Sequence, residues 1–187
     1  MRADARANRA AVIDAAKRLY AARGANVPFT SIAAEAGVGV ATLYRHFPTQ
    51  TDLVVAIVEG VRDEIIGVCE RSAPAIEASP EQGWPRFANA LADLRLSAFL
   101  PALVEAHSFA EWQPVAIEAR ARGLAAVGAL LAKVKDAGLV DRDVDAAHFM
   151  GGMAMVTRSV PGNLQADLPD IQPWLLATFL AGLRPRS

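Results

Sequence analysis

Phe29-Thr30-Ser31-Ile32-Ala33-Ala34-Glu35-Ala36-Gly37-Val38-Gly39-Val40-Ala41-Thr42-Leu43-Tyr44-Arg45-His46-Phe47 is the stretch on which the fold turns. Ile32, Ala33 and Ala36 recur at helical spacing and predict a short helix with one inward face. Thr30 is placed to cap it, because its hydroxyl can accept a bond from an orphan backbone N–H. Gly37 stands where the pattern stops and can take the positive φ of a tight turn. Val38 would plug that turn into the core, and Ala33 is small enough for two helices to cross closely. A second short helix over 41–47 turns Leu43 and Phe47 inward and leaves Thr42, Tyr44, Arg45 and His46 outward. Pro48 ends it. A longer helix precedes the pair at 6–23, with Ala10, Ile13, Ala16, Lys17 and Tyr20 as its apolar stripe and Gly24 as its stop. Three helices with a tight turn before the last predict a helix-turn-helix, whose last helix enters a DNA groove.

The rest of the chain reads as helix too. No run of alternating β-branched residues bounded by turns predicts a strand. Thr51-Asp52 should cap a long helix to about 72, with Leu53, Ile57, Val61, Ile65 and Val68 inward. Pro74 and Pro80 predict a loop over 72–80, and helices follow at 81–98, 101–108, 114–137, 143–160 and 171–184. Pro101, Pro114 and Pro161 are read as breaks between them. The expectation is an all-α chain of about nine helices, with a DNA-binding domain over 1–48 and a second domain over 49–187.

Charge supports that division. Residues 1–47 hold seven Arg or Lys against three acids, while residues 48–187 hold twelve against seventeen. A basic head on an acidic body suits a nucleic-acid binder with a separate second function. Cys69 is the one cysteine of 187 residues, which excludes an intrachain disulfide and any multi-cysteine zinc site. The longest apolar run, Leu124–Ala132, falls well short of the ~18 residues of a membrane span. Charges at Arg2, Asp4 and Arg6 sit where a signal peptide needs apolar residues. A cytoplasmic protein without a membrane partner is therefore expected.

The stretch closely resembles the tetracycline-repressor (TetR) family of bacterial transcription regulators. The matching pieces are Phe29-Thr30 followed by Ile32-Ala33, the Ala36-Gly37-Val38 turn, and Thr42-Leu43-Tyr44-x-His46-Phe47 with Asp52-Leu53 behind it. The resemblance spans about residues 8–60; beyond it, only size and helix number match. It implies that Thr30 fixes a phosphate, that Thr42 and Arg45 touch base edges or phosphate, and that Tyr44 and His46 touch backbone or thymine methyl groups. The sequence departs from the pattern at Gln50, where the family usually has Lys on a phosphate. The start of the recognition helix, Gly39-Val40-Ala41, is apolar, so base reading by Val40 and Ala41 would rely on methyl contacts. Arg2, Arg6 and Arg9 are candidates to restore the missing charge at phosphate or in the minor groove. The resemblance also implies a homodimer on a palindromic operator in double-stranded DNA, with repression relieved by a small molecule.

Two further sites are expected in the second domain. A pocket walled by Ile65, Phe87, Leu91, Phe99, Leu103 and Trp112, with Arg62, Arg95 and His107 as polar handles, would take an apolar or aromatic effector. Phe149, Met153, Val156, Trp174, Leu175, Thr178 and Phe179 recur on the last two helices and predict a dimer interface. No cofactor is expected. Asp143, Asp145 and His148 are spaced like ligands, yet Ala146 and Gly152 stand where a calcium loop starting at Asp141 needs Gly and Glu. Helix capping accounts for those acids. No clustered acid–base pair supports an enzyme. A non-specific architectural DNA protein would not need so large an apolar second half.

Overall fold

The computed structural model describes residues 2–106, 109–158 and 171–185. The described residues form nine helices and no strand. They are α1 (Arg2–Arg23), α2 (Phe29–Ala36), α3 (Val40–His46), α4 (Gln50–Ala78), α5 (Pro80–Ala92), α6 (Leu96–Ala106), α7 (Phe109–Asp136), α8 (Ala146–Val156) and α9 (Gln172–Gly182). No single helix among them is long and apolar enough to cross a membrane.

The described residues pack as two compact units. Met1–Val61 with Ala98–Ala119 make the first, and Arg62–Ser97 with Arg120–Ser187 make the second. In the first, α1 buries Val12, Ala15, Ala16, Leu19 and Tyr20. That face is rotated from the expected stripe, and Ala10 is exposed. An alanine-rich helix offers an apolar stripe in several phases, and the bulkier Val12 and Leu19 decide among them. Burial pushes the Tyr20 hydroxyl up to about 12.

Aromatic rings fill the second unit. Phe149 of α8 lies 5.0 Å from Trp84 and 6.2 Å from Phe87, both on α5. Phe179 of α9 stacks on it at 6.1 Å. Such pairs add about 0.5–1.5 kcal/mol each beyond their buried area. Cys69 of α4 is buried, which raises its thiol to about 11 and leaves little thiolate at neutral pH.

Pro48 and Pro80 stand at helix boundaries as expected, Pro161 lies outside the described residues, and three other prolines do not mark the breaks that the sequence suggested. Pro74, Pro101 and Pro114 all lie inside helices, in α4, α6 and α7. Each removes one helical hydrogen bond, but buried residues on both sides hold the backbone in place. Cys69 and Ile76 flank Pro74, while Phe99 and Leu103 flank Pro101. A break falls instead at Asp93–Arg95, where Arg95 takes a left-handed φ of 49°. The expected helix over 81–98 therefore stops at Ala92.

Candidate nucleic-acid interface

Packing of two residues orients α3. Leu43 and Phe47 are buried at 0% and 1% exposure, so the opposite face of the helix must look outward. Val40 and Tyr44 lie on that face at 38% and 50% exposure. Ala41 and Arg45 are exposed, and Thr42 and His46 are half-buried. The Tyr44 ring rests 5.3 Å from Phe29 at a 57° tilt. This contact steers an exposed aromatic without burying it.

The turn before α3 has the geometry its sequence calls for. Gly37 takes φ 67° at the end of α2, and the N–H of Val38 reaches back to the Ala33 carbonyl at 3.0 Å. This is a Schellman closure, which a residue with a Cβ would strain. An exposed ion pair between Arg18 of α1 and Glu35 of α2, at 3.0 Å, adds little stability but spans the two helices.

Capping differs from the expectation. Pro28, not Thr30, precedes the first turn of α2; its carbonyl accepts from the N–H of Ser31 and of Ile32. Thr30 is the exposed second residue of the helix. At α4 the cap is Thr49 rather than Thr51-Asp52. The Asp52 N–H donates to Thr49 Oγ1 at 3.1 Å, and the Thr49 N–H and hydroxyl both donate to Asp52 Oδ2, at 2.9 and 2.8 Å. This capping box, legible as Thr-x-x-Asp, fixes the entry into α4 and leaves Gln50 exposed on its first turn. Thr51 instead donates to Glu111 Oε2 of α7 at 2.6 Å.

The remaining expected residues separate as follows. Phe99, Leu103 and Trp112 are buried in the first unit. Ile65, Phe87 and Leu91 are buried in the second. Arg62, also in the second, donates to Asp63 at 2.9 Å and holds that carboxyl below its usual range. Exposed Arg95 borders a recess of about 270 Å³ with Asn89, Thr157 and Gln172. His107 lies outside the described residues. Phe149 and Met153 are buried at 0% and 4% in the chain's own core. Val156, Leu175 and Phe179 are half-buried, Thr178 is exposed, and Trp174 is 64% exposed. Asp145 caps α8 by accepting from the His148 N–H at 2.8 Å. Capping is thus the role the structure gives Asp145.

Residues 12–57 match the family described as bacterial regulatory proteins, tetR family. A TetR transcription regulatory protein from Mycobacterium vanbaalenii is 32% identical in its crystal structure, over 98% of this chain and 99% of that one, with a TM-score of 0.70. The chain belongs to the TetR family. An HTH-type transcriptional regulator of Staphylococcus aureus (strain USA300) is 38% identical over 60 residues, which is 32% of this chain and 32% of that relative. This chain therefore matches about a third of the curated relative's length. The TetR-like regulator LfrR from Mycobacterium smegmatis, solved in complex with proflavine, shares the fold with a TM-score of 0.68 at 20% identity over 95% of each chain. TetR-family members are DNA-binding transcriptional regulators, not enzymes, and α2–turn–α3 is the helix-turn-helix of this one.

Proposed function

We propose that this TetR-family regulator acts in the cytoplasm as a homodimeric repressor on a palindromic operator and is released by a small-molecule effector. In this reading residues 1–48 bind the DNA, and residues 49–187 dimerise and hold the effector. The outward face of α3 carries the proposal: Val40, Tyr44 and Arg45 project from a helix anchored by Leu43 and Phe47. A cation beside an aromatic and a small apolar residue matches the phosphates, sugars and thymine methyl groups of a major groove. Thr30, Ala41, Thr42, His46 and Gln50 complete the proposed contact set.

Exposed apolar residues on α8 and α9 support the homodimer. Met155 and Trp174 are 65% and 64% exposed there, which single soluble chains rarely tolerate in a patch. For the effector, the buried Ile65, Phe87 and Leu91 of the second unit favour an apolar or aromatic molecule. A shared fold with a regulator crystallised with proflavine is compatible with that class. Fluorescence anisotropy with a duplex from the promoter of the protein's own gene tests the proposal. Saturable binding should survive scrambled competitor DNA and weaken on adding an aromatic inducer. Equal affinity for both duplexes would count against operator recognition.

A further inference from the structure

The described cations of the helix-turn-helix region are not equivalent. Arg18 is neutralised by Glu35. Arg6 and Arg9 are exposed, and no carboxylate among the described residues pairs with either. They stand three positions apart on α1, hence on one face of it. Helix α1 runs continuously from Arg2, so this region is a rigid rod and not an extended arm that could thread a minor groove. It meets the recognition element at one side chain. The Arg9 guanidinium lies 5.1 Å over the Phe47 ring, and Phe47 closes α3. Gln50, where the family pattern has a cation, is neutral and exposed beside this junction, on the first turn of α4.

We propose that Arg6 and Arg9 of α1 form a second, sequence-independent DNA contact, binding backbone phosphates that flank the bases met by α3. The inference rests on the DNA-binding reading above and adds to it the groups that supply its charge. Arg9 lies over the face of Phe47 and is exposed to solvent, so its guanidinium is within reach of a phosphate. Arg6, one turn further toward the N-terminus, extends the same cationic face. These two arginines replace the positive charge absent at Gln50. They select no bases, because phosphate contacts fix position without carrying sequence information.

The test measures affinity against salt for the full-length chain on two probes, a duplex selected by it from a randomised library and a scrambled duplex of equal length. Removing one arginine–phosphate pairing should flatten the slope of log K against log salt by about 0.9. Arg6→Gln and Arg9→Gln should each do so and weaken both probes alike, leaving the ratio of selected to scrambled affinity unchanged. Arg9→Lys should keep the slope, which separates the effect of charge from disturbed packing on Phe47. Arg6 is exposed and one turn away from Arg9, so Arg6→Gln remains decisive if Arg9→Gln unfolds. Wild-type slopes in both glutamine variants, or a changed selected-to-scrambled ratio, overturn the proposal. Loss of selectivity in Arg45→Ala alongside wild-type slopes in Arg6→Gln and Arg9→Gln would reject this second contact while leaving the recognition helix standing. Wild-type protein that binds neither probe overturns both.

Discussion

The recognition helix and the last two helices both expose a large aromatic, Tyr44 at 50% and Trp174 at 64%. Their surroundings differ. Tyr44 has Arg45 and His46 beside it in sequence and Phe29 beneath its ring. Trp174 stands on an α8–α9 pair whose exposed residues include Ala147, Gly151, Ala154, Met155, Ala177 and Thr178. An exposed aromatic beside an arginine faces a polyanion, whereas one among small and apolar groups faces another apolar protein surface. One kind of departure from the rule that apolar groups go inside thus points to two different partners.

The comparison breaks most sharply within α8 and α9 themselves. Phe149→Ala should cost about 3–5 kcal/mol, because it empties a fully buried site among three other rings. Trp174→Ala should leave the stability of the single chain nearly unchanged. Chemical denaturation at low protein concentration measures both. Equal losses would mean that Trp174 belongs to the core and that the contrast between buried and outward faces is false.

Next in size is assembly. Trp174→Ala should weaken self-association by about 2 kcal/mol, roughly thirty-fold in dimer Kd, if the tryptophan is an interface anchor. Light scattering across a dilution series reads this directly. A wild-type chain that stays monomeric at micromolar concentration rejects the dimer altogether.

A change of comparable size falls on α3. Arg45→Ala and Tyr44→Ala should each weaken operator binding by about 1–3 kcal/mol and change folding stability by less than about 0.5 kcal/mol. Anisotropy and thermal unfolding on the same samples provide the check. A stability loss as large as the binding loss would make Tyr44 a structural neighbour of Phe29 rather than a DNA contact.

These contrasts also show what the sequence discloses. The helix-turn-helix was legible because its signals are local: Gly37 at the turn, and Leu43 and Phe47 four residues apart on the inward side of α3. The outward placement of Tyr44 and Arg45 follows from that spacing alone. Helix α8 shows the same spacing in Phe149, Met153 and Val156, but spacing alone does not say whether that stripe meets the chain's own core or a partner. Phe149 and Met153 were expected at a dimer interface and are buried within the chain, Phe149 against the rings of α5. The three internal prolines misled for a related reason: local propensity argued for breaks, and burial of their neighbours prevailed. The turn at Asp93–Arg95 contains neither Gly nor Pro, and nothing in its composition announces it.

The smallest effect concerns the α8 side of the comparison alone. The Asp145 carboxyl lies below its ordinary range, chiefly because the His148 backbone N–H donates to it and also because the His148 side chain does. A carboxyl whose pKa is depressed by folding stabilises the native state above its unfolded pKa. That contribution disappears as pH falls through the lower, folded value. Thermal stability should therefore decline between neutral pH and about pH 3, in the region of the ordinary aspartate pKa and below. Asn is an equally good N-cap and does not titrate, so Asp145→Asn should match the wild type at neutral pH and lose less stability in acid. Asp63, held low by Arg62, remains in the variant, so the acid dependence should shrink without vanishing. Operator affinity at neutral pH should not move, because the change is confined to the second unit. Identical acid dependence in the two proteins would show that the Asp145 cap contributes nothing to folding.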